Sequence, residues 1–304
     1  MGMLTRYQQK NLVWIDLVSP TPTEVRTLMQ EFNIHPLLAQ ELLAPSYRSK
    51  VEKKGDEILV ILHFPTLRGV SERAEHEIDF IIGKHFLITT RYENTDPLHI
   101  FARAFEVDAV LGRSNAVHGG HLFASVVRSL YQALSDESDA LAQKLKEIEE
   151  RIFRGDERQM VAELSYTGRV IHDFRQALLP HRDMLSSLEP AAARVFGPEF
   201  SYYLREVEGA CVQVERAFLH LRESLTEMRE TNNSLLSTKQ NEIMKTLTVV
   251  AFVFLPLSFI ASLFQMNTQS TPLIGVPGDF WIVFGIMVAL AMGFFVYFKH
   301  KEWL

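Results

Sequence analysis

The 304-residue chain predicts an α+β cytoplasmic domain followed by long stalk helices and a two-helix C-terminal transmembrane hairpin, on three observations. Residues 246–278 contain no charged side chain, residues 280–298 contain none, and only Asp279 interrupts. Phe200, Leu204, Val207, Cys211, Val214, Phe218, Leu221, Leu225, Met228, Asn232 and Leu235 recur in alternating steps of four and three, the seam of a heptad repeat. Ahead of both lie short apolar runs of strand length bounded by turn residues.

The first part reads as mixed α/β. Residues 12–17 form an apolar strand, and Thr21, Pro22, Thr23 and Glu24 match a capping box with proline at the first helical position, so a helix starts there. Residues 46–56 are polar and turn-rich. Further strands are predicted at 58–64, 77–82 and 85–91, the last two joined by a tight hairpin turn at Gly83 and Lys84.

From about His121 the pattern becomes helical, with Leu130, Leu134, Leu141, Leu145, Ile148 and Ile152 at helical spacing. Gly155 and Asp156 end this helix. A second is predicted over 157–188, closed by Glu189 and Pro190, and Gly197 with Pro198 marks the next turn. The heptad helix then has no strong breaker before Pro256. Continued from Phe200 to about Phe264 it would be ~100 Å long, a stalk leading into the membrane or, on the heptad alone, a dimerising coiled coil.

Each charge-free run suffices to cross a bilayer, for which a helix needs ~20 apolar residues. Lys239 and Lys245 precede the first run and Lys299 and Lys301 follow the second, whereas the loop between has no Lys or Arg. The positive-inside rule therefore puts both termini in the cytoplasm of a cell inner or plasma membrane protein. No cleavable signal peptide is expected at residues 1–10. The expected segments are 1–118, a cytoplasmic α/β domain; 119–245, long helices and stalk; 246–267, a first membrane helix; 268–279, an external loop; 280–298, a second membrane helix; and 299–304, a basic tail.

Stepping along the stalk by three and four gives Glu230, Asn233, Ser237, Asn241, Met244, Leu247 (or Thr248), Ala251, Leu255, Ser258 and Ser262. Beyond Glu230 at its start, this small, uncharged, intermittently polar stripe suits a pore for a hydrated cation, with amides and hydroxyls meeting the water shell and Met244, Leu247 and Leu255 forming rings that dewet and close. Serines in membrane helices also pack, or bond their own backbone. Pro256 leaves the Phe252 carbonyl without its helical donor. Gly285, Ala289 and Gly293 give the second helix a face for close packing, the mark of a supporting helix.

Several classes lose support. A net charge of -6 argues against nucleic acid as a partner. One cysteine, Cys211, excludes an intrachain disulfide and reads as a small buried apolar residue. The eleven histidines are scattered, and the His118 and His121 pair, in an expected loop, lacks the companions of a metal site. There is no phosphate loop, paired His-Glu metal motif or nucleophile elbow, so no enzyme and no cofactor are expected. A membrane-anchored coiled-coil sensor or scaffold would need an outer domain, for which the loop is too short.

The run TKQNEIMKTLTVVAFVFLPLSFIASLFQMN from Thr238, the uncharged loop, the second apolar helix and the terminal Lys301, Glu302, Trp303 and Leu304 resemble the CorA family of divalent-cation channels. WIDLVSPTPTEV from Trp14, RSKVEKKGDEILVILHFP from Arg48, IDFIIGKHFLITTR from Ile78 and YYLREV from Tyr202 are similar to the family's soluble domain. The resemblance implies a funnel-shaped homopentamer in the lipid bilayer whose five stalk helices line the pore. It implies an ion entrance at a Gly-Met-Asn motif, matched here by Met266 and Asn267, with Gln265 in place of glycine. Asn241, Met244, Leu247, Leu255 and Ser258 match pore-lining positions, and Glu230 and Asn233 match inner-mouth positions. Glu206 matches a stalk carboxylate of the family's regulatory divalent-ion site. Mg²⁺ is the implied substrate and regulator; zinc, Co²⁺ or Ni²⁺ transport is the alternative within the superfamily.

Overall fold

The computed structural model describes residues 3–46, 48–65, 75–92, 96–111, 117–265 and 278–301. They fall into two compact units, Met1–Arg229 and Glu230–Leu304.

In the first unit, β1 (Met3–Gln9), β2 (Leu12–Val18), β3 (Lys50–Lys54), β4 (Glu57–Pro65), β5 (Glu75–Ile82) and β6 (Phe86–Arg91) form a sheet ordered β1-β2-β6-β5-β4-β3. All neighbours are antiparallel except β2 and β6, which run parallel. A parallel pair needs a long crossover; here it carries α1 (Pro22–Phe32), α2 (Pro36–Glu41) and strands β3 to β5. The capping box forms at α1: the Glu24 amide donates to Thr21 Oγ1 at 3.3 Å and the Thr21 amide to Glu24 Oε2 at 2.8 Å.

Alternation along the strands sends side chains to both faces. Ile15, Leu17, Leu59, Ile61, Ile81 and Ile88 pack with Val25, Leu28, Leu38 and Leu42 of α1, α2 and the residue after it. On the other face Trp14 stacks on Tyr7 at 4.8 Å and meets Phe101 of α3 (Asp96–Leu111) at 5.4 Å. Phe80 meets Phe123 of α4 (Gly119–Phe153) at 5.2 Å. A polar strip survives inside this layer because each of its residues has a hydrogen-bond partner, with Arg91 Nε the one buried atom of the strip left unpaired. Trp14 Nε1 donates to Thr89 Oγ1 at 3.0 Å, Thr89 Oγ1 to Asp16 Oδ1 at 2.8 Å, and Arg91 Nη2 to Asp16 Oδ2 at 2.7 Å.

Four expectations are corrected. The segment 46–56 contains β3, a polar edge strand whose half-exposed KVEKK carries no apolar alternation to mark it. Strand β1, on the opposite edge, falls in the segment read only for its lack of a signal peptide. The β5–β6 turn is centred on Lys84 and His85, one residue later than Gly83 and Lys84, with the Gly83 amide donating to the Phe86 carbonyl at 3.0 Å. The helix read over 157–188 is two, α5 (Glu157–Leu178) and α6 (His181–Phe196), and Pro190 lies inside α6. Pro190 is tolerated because Ser186, whose carbonyl loses its donor, is exposed to water.

His181 pins the α5–α6 corner. It is 0% exposed, with Nδ1 accepting from the Tyr131 hydroxyl and Nε2 donating to the His63 carbonyl, both at 2.8 Å. Burial keeps the ring neutral, lowering its pKa to about 4.

The second unit contains the membrane-type helices: the later part of α7 (Phe200–Gln265) and α8 (Asp279–His300).

Candidate ion-conducting helix

Helix α7 continues through both Gly209 and Pro256 to Gln265. Its heptad seam is buried from Phe200 to Met228, and the partners belong to the same chain. Phe218 stacks on Phe174 of α5 at 4.7 Å, Arg229 Nη2 donates to the Leu164 carbonyl at 3.1 Å, and Ser186 of α6 donates to Glu208 at 3.3 Å. Cys211 packs by Tyr131 of α4, and burial pushes its thiol up to about 12, so it is an inert core residue. The seam is thus occupied within one chain and gives no support to a dimerising coiled coil.

The stripe is on another face. Glu230, Asn233, Ser237, Asn241, Met244, Leu247, Ala251, Leu255, Ser258 and Ser262 are all exposed in the single chain. Val249 is buried, as is Phe298 of α8, and the Phe252 and Phe298 rings lie 6.3 Å apart. At ~100° per residue Val249 points about 160° away from Leu247 and Ala251, so the one buried position among residues 246–265 lies opposite the stripe. Leu247, Ala251 and Leu255 border an apolar cavity of about 560 Å³ that Pro256 and Phe294 of α8 also line. No spacing in the sequence marks Phe294. Thr248, the alternative to Leu247, donates its hydroxyl to the Met244 carbonyl at 2.7 Å, which ties it to its own helix.

The apolar surface of these helices is nearly bare. Only 6% of the most apolar window in α7 and 0% of that in α8 is buried within the chain. A patch of this extent marks a partner or a lipid surface. A Cβ at Gly285 or Gly293 would meet no atom within 4 Å, so the small-residue face of α8 is not filled by this chain.

Gln265 is the last residue of α7, in ordinary helical conformation and exposed. Met266 and Asn267 lie outside the described residues. Glu206 is partly exposed and paired with Arg128 at 3.3 Å. Among the described residues no three His, Cys, Asp or Glu side chains gather as a metal-holding group. His118 caps α4, its Nδ1 accepting from the His121 amide at 3.3 Å, and the two rings stack at 3.9 Å. Burial, with the neighbouring His121, lowers the His118 pKa to about 4.

An α+β unit with long helices, joined to two C-terminal helices whose apolar faces are uncovered, defines a membrane-embedded protein anchored by its last two helices. The family model described as CorA-like Mg²⁺ transporter protein matches residues 9–300, and the chain belongs to that family. It is 26% identical over 298 residues to the cobalt/magnesium transport protein CorA of Thermotoga maritima, covering 96% of this chain and 83% of the relative. It is 23% identical over 308 residues to the zinc transport protein ZntB of Pectobacterium carotovorum, covering 96% and 88%. The solved CorA magnesium transporter of Methanocaldococcus jannaschii superposes with a TM-score of 0.83 at 23% identity over 98% of this chain and 93% of that one. That likeness bears out the α+β domain, the long helix and the two C-terminal apolar helices.

Proposed function

We propose that the chain forms a homopentameric channel for hydrated divalent cations, with Mg²⁺ the principal substrate, both termini cytoplasmic and α7 lining the pore. The observation that carries this is the change along α7: the heptad seam is consumed inside the chain, while the later part of the helix, the ten stripe positions included, stays largely uncovered. Five copies of the stripe around an axis would present a ring of carboxylates at Glu230 and, from Asn233 onward, neutral amides, hydroxyls and apolar rings to the ion.

Neutral lining fits the cargo. Mg²⁺ dehydrates reluctantly and keeps several waters, so amides can hold its water shell without trapping it. A potential of ~100 mV supplies about 4.6 kcal/mol to a divalent ion entering. No catalytic group takes part. Asn267, with Met266 and Gln265, is the proposed entrance, and the helical Gln265 would set a rim of side-chain amides where the family motif has glycine. Glu206 is the proposed cytoplasmic regulatory ligand, and to serve it must release Arg128.

Zinc transport is the second reading, favoured by the likeness to the zinc transport protein ZntB. The entrance is tested with Asn267→Ala protein in liposomes: loss of Mg²⁺ flux with the oligomer intact is expected. Unchanged flux would remove Asn267 from the filter.

A further inference from the structure

A groove on the first unit, remote in sequence from the stripe, is furnished for a different ligand. It lies between α6 and α7, has a volume of about 590 Å³, and is lined by Arg182, Arg205, Arg216, Glu208, Gly209 and Val212, among others. That size is within the ~300–1,000 Å³ of small-molecule sites.

The charge of the lining is lopsided, with three guanidiniums against one carboxylate. Among the described residues Arg182, Arg205 and Arg216 have no carboxylate at pairing distance, as is also true of Arg169, Arg175 and Arg222, whereas Arg91, Arg128 and Arg154 pair at 2.7, 3.3 and 3.2 Å; what sets the three apart is their shared groove. Arg182 does act on Glu215, from beyond pairing distance. Glu208 is occupied with Ser186, whose hydroxyl donates to it at 3.3 Å. Guanidiniums converging on a cleft focus a positive field and bind phosphate oxygens two at a time.

Gly209 lines the same groove. Glycine weakens a helix interior relative to alanine, yet Gly209 sits within the 66-residue α7, and a Cβ there would meet nothing within 4 Å. Close packing inside the chain therefore does not demand it. A side chain at this position would project into the open groove, between Arg205 and Arg216.

We propose that this groove binds a polyphosphate anion, a chain of two or more phosphates, carried either as inorganic polyphosphate or on a nucleotide. Arg205 and Arg216, eleven residues apart and three turns along one face of α7, grip separate phosphates, and Arg182 closes the site from α6. A single phosphate reaches too few of the three guanidiniums and is opposed by Glu208.

The test is calorimetric titration of the full-length protein in detergent with tripolyphosphate, ATP or inorganic phosphate, in EDTA so that removal of a transported ion cannot mimic binding. Saturable tripolyphosphate binding is expected, weakened about tenfold or more in both Arg205→Ala and Arg216→Ala, a loss of at least about 1.4 kcal/mol. Gly209→Leu should fill the groove and block binding, while Arg222→Ala, an exposed arginine outside the groove, should leave it unchanged. ATP binding more tightly than tripolyphosphate identifies a nucleotide site; equal affinities identify recognition of the phosphate chain alone. The proposal is overturned if neither polyanion binds saturably, or if binding survives both arginine substitutions. It is equally overturned if neither binds and Arg205→Glu with Arg216→Glu dissolves the oligomer, which assigns the groove to contact between copies. With divalent ions removed, the outcome does not depend on whether the protein conducts.

Discussion

At the scale of single residues, four positions show how strictly the first unit is built. A Cβ on Gly119 would collide with the carbonyl oxygens of Gly83 and Phe86, where the start of α4 meets the β5–β6 turn and the Gly119 amide donates to Lys84 O at 3.0 Å. Gly119→Ala is expected to destabilise the protein by about 1–3 kcal/mol through this overpacking, read from the thermal midpoint of the full chain in detergent. His118 and His181 both have pKa values of about 4, well below the ordinary 6.5. Below about pH 6.5 the unfolded chain takes up protons that the folded chain refuses, so their stabilisation is full above that pH and is lost as pH falls towards 4. Asp79 acts in the opposite sense: burial, with Glu77 beside it, holds its pKa well above the usual range, which erodes stability as pH rises. His118→Asn keeps a capping oxygen and removes one titrating ring, so the fall in stability between about pH 6.5 and 4 should shrink relative to wild type. An unchanged pH profile would show that His118 is not held neutral.

At the scale of elements, the division of α7 into a buried seam and a bare stripe gives opposite expectations for the two faces. Phe218→Ala, at 0% exposure against Phe174, should cost about 3–5 kcal/mol. Leu247→Ser, at 60% exposure, should leave the thermal midpoint nearly unchanged but raise resting ion flux severalfold by wetting the proposed gate. A quiet Leu247→Ser channel would take Leu247 out of the gate. The elements legible in the sequence were those with strong periodicity, an apolar run or a cap: β2, β4, β5, β6, α1, α4, the seam of α7 and α8. Edge strands β1 and β3 were missed because edges carry little apolar burden, and Lys50, Glu52 and Lys54 satisfy one another by ion pairs instead. The α5–α6 corner was displaced to Pro190 because the decisive contacts are tertiary. Sequence cannot show that Tyr131 and the His63 carbonyl will hold His181 at that corner.

At the scale of the whole molecule, the heptad was ambiguous for a similar reason. Its spacing says that a helix meets other helices, not whether they belong to the same chain; only the packing on α5 and α6 resolved it for residues 200–228. The proposed stripe and entrance rest on stepping along the helix and on resemblance. The polyanion groove does not, since arginines eleven residues apart on a solvated helix look like ordinary surface charge until α6 is placed beside them. With the seam used internally, the proposed pentamer would assemble through the stripe face and the bare apolar helices. The mass of the protein in native membranes should therefore be five times the 34.8 kDa of one chain; a dimer would contradict the pore.

The central claim is that this assembly conducts hydrated divalent cations, with Mg²⁺ first among them. Purified protein in liposomes loaded with a Mg²⁺-sensitive dye measures this directly. The expected result is Mg²⁺ entry that is driven by an inside-negative potential and lost in Asn267→Ala. No Mg²⁺ entry under that potential, with a Zn²⁺ signal in its place, would contradict it.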